Sequence, residues 1–495
     1  MKRALIGLTL VLALVPFLGQ EASIRAGTAG VNAALSEPAP PVLLSTYDLQ
    51  RRIDGILGAA GLSRVLFSVC VVHGKTGEIV YEKSAHLALI PASNMKIVTS
   101  AAALEYMGQD FAFVTRVGLC GDALVVKGSG DPLLGDKETD ARNGRGSQPV
   151  IREIVLRLKE AGITSVSDIV LDTSIFDSER VHPSWPPDQL HQKYACEVSG
   201  LNYNGNCVDI SAAQRNGKVV LLLDPPNDFV QMTNALTIWR SRQSWFSVVR
   251  TDLPNMLVIQ GNCRAQAGPY SVAVENPALF FGQLLRESLL REGIEVSGEV
   301  LEDTVPEGCE FSEMIAFSTS IGDCLLRTNK DSLGLAAEAM FKRLAAQSDP
   351  ESKQGSWEGG RRVLTQYVKG RGVDEREFVI ADGSGLSRDN RLSANALIRI
   401  LLHLAAGPDW EVYRNTLAVG GLDGTIERHF WEKDYRGRVQ AKSGYIQAVR
   451  ALSGVVSTDN GDYIFSFLAN RAGSGARAAI DSAVKAVVDW AASPA

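Results

Sequence analysis

The 495-residue sequence predicts an α+β protein with two or more domains, and three observations carry that prediction. Helical spacing of apolar residues appears in separate segments, notably PASNMKIVTSAAALEYMG from Pro91 and RAAIDSAVKAVVDWAA near the C-terminus. Strand-like runs stand elsewhere, with turn-rich joins: LFSVCVV, EIVYE, VVLLLDPP and MLVIQG. The length exceeds what one simple core requires, while 45% hydrophobic and 21% charged residues describe an ordinary globular chain. A net charge of −6 leaves no basic footprint for nucleic acid.

In chain order, Met1-Lys2-Arg3 followed by the apolar run Ala4–Leu18 reads as a secretory signal, too short for a comfortable membrane span. The signal is assigned to residues 1–22, with cleavage between Gly19 and Ala26, and residues 23–41 read as a mobile linker ending in Glu37-Pro38-Ala39-Pro40-Pro41. The first cysteine is Cys70, so no cysteine follows the signal to carry a lipid, and no later segment resembles a membrane helix. The expectation is an exported, periplasmic or otherwise extracytoplasmic protein with no stable membrane anchor after signal removal.

Next, LFSVCVV and EIVYE flank Lys75-Thr76-Gly77, which reads as a hairpin turn. The segment after it carries the chemistry. Ser93 and Lys96 stand one helical turn apart at the start of an apolar helix, so the lysine amine can reach the serine hydroxyl. A hydroxyl becomes a useful nucleophile when a base takes its proton, and a lysine serves only if burial or a neighbouring cation keeps it uncharged. The spacing alone is not specific: Ser482 and Lys485 repeat it inside what looks like an ordinary amphipathic C-terminal helix.

Other clusters read as structure. GSGDPLLGD at 128–136 lacks the Gly-Lys-Ser/Thr ending of a phosphate loop and reads as a turn. Asp382-Gly383-Ser384-Gly385 has the wrong spacing for a nucleophile elbow and receives a structural role. Seven cysteines leave at least one unpaired within the chain; Cys196 and Cys207 bracket an Asn-rich loop and form the candidate bridge. Neither the cysteines nor the six histidines show zinc-ligand spacing, so no metal and no organic cofactor is expected.

Context supports Ser93 through two further segments in order. LRTNKDSLGLAAEAMFKRL carries Ser332, and RVQAKSGYIQAVRALSGVV carries Lys442-Ser443-Gly444 at the opening of a strand-like run. Ser-x-x-Lys, then Ser-x-Asn, then Lys-Thr/Ser-Gly is the signature set of penicillin-binding proteins and serine β-lactamases. The match extends beyond triplets: GSGDPLL, HPSWPPDQL, ENPALFFGQLLRESLLREGIEVSGEV, DGSGLSRDNRLSANALIRIL and LAVGGLDGTIERHF lie in the same order. On these segments the chain resembles the D-alanyl-D-alanine carboxypeptidase/endopeptidase family, the class C low-molecular-mass penicillin-binding proteins.

The resemblance implies a transpeptidase/β-lactamase-like domain, an antiparallel sheet between helices, formed by residues 42–109 and 271–495. A long strand-rich accessory insert, residues 110–270, interrupts it. It implies a serine-type peptidase acting on peptidoglycan stem peptides and cross-links through an acyl-enzyme on Ser93, with β-lactams as covalent inhibitors. Lys96, kept neutral partly by the Lys442 cation, is then the base. Ser332 relays the proton to the leaving amine, and Lys442, Ser443, Gly444 and Tyr445 bind substrate. Gly444 leaves room for a substrate laid against its strand.

Two positions depart from the family pattern. The second motif reads Ser332-Leu333-Gly334, without the usual Asn amide, although Asn329, Lys330, Ala337 and Glu338 keep their places. Tyr445 replaces a Thr or Ser whose hydroxyl holds the terminal carboxylate; Arg450 either assists there or is a solvated surface arginine. These departures keep open the alternative of a catalytically impaired peptidoglycan-binding homologue. A serine β-lactamase or esterase on the same scaffold is disfavoured by the long insert.

Overall fold

A computed structural model describes residues 46–492 except 147, 240–242, 306–307 and 349–352. The expected signal and linker lie outside the described residues.

One six-stranded antiparallel sheet is assembled from both ends of the chain. Its order is Ala418–Val419, Val439–Ile446, Val449–Thr458, Gly461–Asn470, Leu66–His73 and Ile79–Lys83. The central strands are buried on both faces, so their sequences read as near-continuous apolar runs. Alternation still sorts the side chains. Val69, Val71, Phe465 and Phe467 pack with the terminal helices Thr46–Leu57 and Gly475–Ala491, through Leu49, Ile53, Ile480 and Val484. Cys70, Val72, Ile464 and Leu468 turn the other way, to a cluster containing the helices Met95–Met107, Gly334–Ser348 and Ala394–Ala406. The sheet therefore lies between helices.

The intervening chain forms separate sheets. Val300–Glu302, Ile169–Asp172, Ala123–Lys127, Ala112–Cys120 and Ser312–Ser320 make a mixed five-stranded sheet in that order. The helices Pro149–Glu160 and Pro277–Arg291 share its core through Ile151, Ile154, Phe281 and Leu285. Two three-stranded sheets join the same core, one of Trp245–Arg250, Met256–Asn262 and Gln231–Thr237, the other of Gln266–Ala273, Cys207–Arg215 and Lys218–Asp224.

The cysteine pairing differs from the expected one. The disulfide joins Cys120 to Cys309, while Cys196 and Cys207 are buried free thiols. Spacing along the chain favours Cys196 and Cys207, but pairing is decided by which strands become neighbours. Cys120 ends a strand whose partner, Ser312–Ser320, begins just after Cys309.

Candidate active site

Both sequence decoys lie on elements other than the one that carries Ser93. Lys75-Thr76-Gly77 lies in the turn between the strands Leu66–His73 and Ile79–Lys83. Ser482 and Lys485 lie on the terminal helix, and Lys485 is ion-paired to Glu432.

The Ser93 segment forms a short 3-10 turn, Ala92–Asn94, running directly into the helix Met95–Met107. Every residue from Met95 to Leu104 on that helix is buried, as expected of a helix apolar nearly all round. Burial of such a helix carries Lys96 inside with it, leaving the side chain 3% exposed. Its ammonium donates to Ser93 Oγ at 3.2 Å and to the carbonyl of Ser384 at 2.7 Å. Burial lowers the Lys96 pKa to about 8, against the opposing pull of the Glu338 and Asp382 carboxylates.

Those two acids were not among the expected site residues. Glu338 lies on the buried helix Gly334–Ser348 and accepts from Trp357 Nε1 (2.8 Å), Gly383 N (3.0 Å) and Ser384 N (2.7 Å). Burial, then the neighbouring Asp382, pushes its pKa up to about 7. Asp382 accepts from Trp185 Nε1 (2.8 Å), Gly385 N (2.7 Å), Ser387 N (2.6 Å) and Asn390 Nδ2 (2.7 Å). The Ser384 peptide thus presents its N–H to Glu338 and its carbonyl to Lys96. The Asp382–Gly385 segment is a structural loop and also the ledge on which the lysine rests. Its signal in sequence is an acid inside an apolar helix, LAAEAMF, which must find buried donors. Gly385, at φ +81°, is required by contact: a Cβ there would lie 1.9 Å from the Ala92 carbonyl oxygen.

A second Ser–Lys pair faces the first. Lys442, on the strand Val439–Ile446, is fully buried and donates to Ser332 Oγ at 2.8 Å and to the Ser443 carbonyl at 2.9 Å. Burial, then repulsion from Lys96, holds it well below the ordinary lysine range. Burial is the larger cause at both lysines, and two cations so placed each favour the neutral form of the other. Ser332 occupies the left-handed region at φ +60°, an uncommon conformation for a non-glycine residue. Asn94 Nδ2 donates to the Lys442 carbonyl at 3.0 Å, tying the Ser93 turn to the strand.

Gly444 has a reason beyond leaving room for substrate: a Cβ would lie 2.9 Å from the Pro91 carbonyl oxygen and 3.1 Å from Asn94 Oδ1. Ser443 Oγ donates to Thr425 Oγ1 at 2.7 Å, and Tyr445 is 68% exposed. At Gly334 a Cβ would lie 3.0 Å from the Tyr194 carbonyl oxygen, so the main chain of the insert closes on the place where the usual Asn would begin. Among the described residues no group of His, Cys, Asp or Glu is arranged to hold a metal ion, and no helix is long and apolar enough to cross a membrane.

An antiparallel sheet between helices, with two Ser–Lys pairs at the junction of helix and sheet, is an arrangement shared with penicillin-binding proteins, and the comparisons make the assignment specific. The chain belongs to the D-Ala-D-Ala carboxypeptidase 3 (S13) family, a family of peptidases, whose profile matches residues 49–492. A D-alanyl-D-alanine carboxypeptidase of Actinomadura sp. (strain R39) is 29% identical over 464 residues, covering 88% of this chain and 84% of that one. D-alanyl-D-alanine carboxypeptidase DacB of Haemophilus influenzae is 24% identical over 407 residues, 78% of this chain and 81% of the relative. The crystal structure of penicillin binding protein 4 (dacB) from H. influenzae superposes with a TM-score of 0.75 at 22% identity, covering 89% of this chain and 99% of that one. The same protein complexed with a β-lactam gives 0.68 at 21% identity, over 88% and 98% of the two chains.

Proposed function

We propose that the protein is a serine-type D-Ala-D-Ala carboxypeptidase, a DD-endopeptidase, or both, acting on peptidoglycan peptides through an acyl-enzyme on Ser93. The observation that carries this reading is Ser93 Oγ 3.2 Å from an amine whose pKa burial has lowered to about 8. Near pH 7 about a tenth of such an amine is unprotonated, enough for a general base. Lys96 takes the Ser93 proton, and the oxygen attacks the carbonyl before the terminal D-alanine or at a D-alanyl cross-link. The developing oxyanion is held by the backbone N–H groups of Ser93 and Tyr445. Ser332, hydrogen-bonded to Lys442, returns the proton to the departing amine; Lys442, Ser443, Gly444 and Tyr445 form the wall against which the substrate lies. Water then releases the acyl group.

β-Lactams acylate Ser93 by the same route and stay attached because their leaving group is tethered. In this reading the protein is exported to the peptidoglycan. Residues 42–109 and 271–495 form the catalytic part and 110–270 the accessory insert, whose sheet takes further strands up to Ser320. A second reading, a peptidoglycan binder with impaired turnover, is favoured by the departures at Gly334 and Tyr445. Covalent labelling with a fluorescent penicillin separates the two. Labelling of the wild type that is lost in Ser93→Ala upholds the enzyme. A well-folded wild type that remains unlabelled at high concentration and long times favours the binder.

A further inference from the structure

The segment GSGDPLLGD, which reads in sequence as a turn, grips the helix leading to Ser332 near both of its ends. Asp131 accepts from Leu133 N at 2.8 Å and from Thr319 Oγ1 at 2.6 Å, just before the helix Ile321–Asn329 begins. Asp136 caps the short helix Lys137–Arg142, accepting from Thr139 N at 2.9 Å. Fixed in that way, its two oxygens take Arg327 side-on, from Nε at 3.1 Å and from Nη2 at 3.1 Å. Arg327 lies in the last turn of its helix and is 2% exposed, and a guanidinium so buried requires such partners.

The remaining nitrogen of Arg327 reaches the surroundings of Ser332. Nη1 donates to Glu138 and to Asp331, the residue before Ser332. The Arg327 carbonyl accepts from Leu333 N, the residue after it, at 3.0 Å. Glu138 and Arg142 stand one turn apart on the short helix, and Arg142 Nη2 donates to the same Asp331 carboxylate at 3.0 Å. Both neighbours of Ser332 are therefore held by Arg327, and Arg327 is held by the insert. Ser332 between them sits at φ +60°, a conformation a serine keeps when its surroundings impose it. Its hydroxyl meets Lys442 there, and the Lys442 carbonyl is bonded to Asn94, the residue after Ser93.

We propose that Arg327 is a positioning residue for Ser332, and that the accessory insert holds it in that role through Asp136, Glu138 and Arg142. The proposal rests on the reading in which Ser332 returns a proton to the departing amine. In that step the bond from Ser93 Oγ to the carbonyl carbon has formed, the carbon–nitrogen bond breaks, and the proton given up by Ser93 passes to nitrogen. An amine needs that proton in order to leave, whereas a thiolate does not. The insert thus serves departure of the leaving group, and activation of Ser93 is left to Lys96.

The test compares kcat/KM for a diacylated L-Lys-D-Ala-D-Ala peptide with that for its thioester analogue, in which D-2-mercaptopropionate replaces the terminal D-alanine. The proteins are the wild type, Arg327→Gln, Arg327→Lys and the double variant Glu138→Gln/Arg142→Gln, each with its unfolding temperature. General acid catalysis contributes ~10²–10⁴-fold, so Arg327→Gln is expected to lower kcat/KM on the amide ~30-fold more than on the thioester. Arg327→Lys falls between it and the wild type, because the charge survives without the planar fork. The double variant, with native side chains 54% and 41% exposed, folds and moves the ratio in the same direction by ~3-fold. If Arg327→Gln does not fold, because Asp136 is left buried and unpaired, the other two carry the test. Equal losses on amide and thioester in the folded variants, or no loss on either, overturn the proposal while leaving the acyl-enzyme intact. A well-folded wild type that neither labels with penicillin nor hydrolyses either substrate overturns the underlying reading instead.

Discussion

Replacing Glu338 by Gln tests whether the ledge beneath Lys96 is part of the catalytic apparatus. The carboxylate is asymmetrically loaded: Oε2 accepts from Trp357 Nε1 and Gly383 N, whereas Oε1 accepts only from Ser384 N, at 2.7 Å. A glutamine keeps one acceptor, and the arrangement that saves most hydrogen bonds leaves its carbonyl with Trp357 and Gly383. Its NH₂ then faces the Ser384 N–H, donor against donor, in a site closed to water. One unsatisfied buried donor costs about 1–3 kcal/mol, so the variant should unfold measurably more easily.

The strain falls on the peptide whose carbonyl holds Lys96 at 2.7 Å. Loss of the negative charge also removes a pull that favours the ammonium, so the Lys96 pKa falls further below about 8. A fall of roughly one unit corresponds to about 1.4 kcal/mol between the two protonation states. The assay is the second-order rate of penicillin acylation measured from pH 5.5 to 9.5, alongside thermal unfolding. Expected are a midpoint shifted to lower pH, a lower plateau and a lower unfolding temperature. An unchanged midpoint with unchanged stability would refute the assignment of Glu338 to the support of Lys96.

In the wild type, acylation should rise with pH and level off above about 8, because the free amine is the active form of a lysine whose pKa burial has lowered to that value; a rate independent of pH between 6 and 9 would exclude Lys96 as the base. Gly334→Asn should raise acylation by no more than about tenfold, although a preorganised amide can contribute ~10²-fold, because its Cβ must displace the Tyr194 carbonyl lying 3.0 Å away. A gain of a hundredfold in stopped-flow acylation would show that the insert yields freely. Gly385→Ala should abolish labelling and destabilise the fold, since its Cβ would sit 1.9 Å from the Ala92 carbonyl at a positive φ; near-normal labelling and unfolding temperature would show that the Ser93 turn is not held this way.

The closeness of Ser93 to Lys96 was legible in sequence because it is local: residues three apart where a helix begins come near each other whatever the rest of the chain does. The sheet was legible for a related reason, since strands buried on both faces write apolar runs such as LFSVCVV directly into the sequence. Periodicity could not show that Ser384 lies under Lys96, because that contact joins residues 288 apart and uses a backbone carbonyl, which has no sequence signature. The disulfide was misread for the same reason: Cys120 and Cys309 are 189 residues apart and meet only through strand pairing. Glu338 was visible as an acid among apolar neighbours, but its partners Trp357, Gly383 and Ser384 come from other elements.

The two departures from the family pattern leave the hydrogen bond between Ser93 and Lys96 in place. Ser93, Lys96, the Ser384 carbonyl and the two buried acids form a closed set, in which each polar contact described above is satisfied without Gly334 or Tyr445. Gly334 is buried at the start of its helix, beside the main chain of Tyr194 and the side chain of Ser384, and Tyr445 is exposed beside Arg450. The enzyme and impaired-binder readings therefore differ in a specific way. If only substrate contacts are altered, a strained β-lactam at saturating concentration acylates Ser93 at a rate set by Lys96, and the departures appear in KM. If activation is lost, no concentration of β-lactam restores it. The intact contacts beneath Lys96 favour the first outcome.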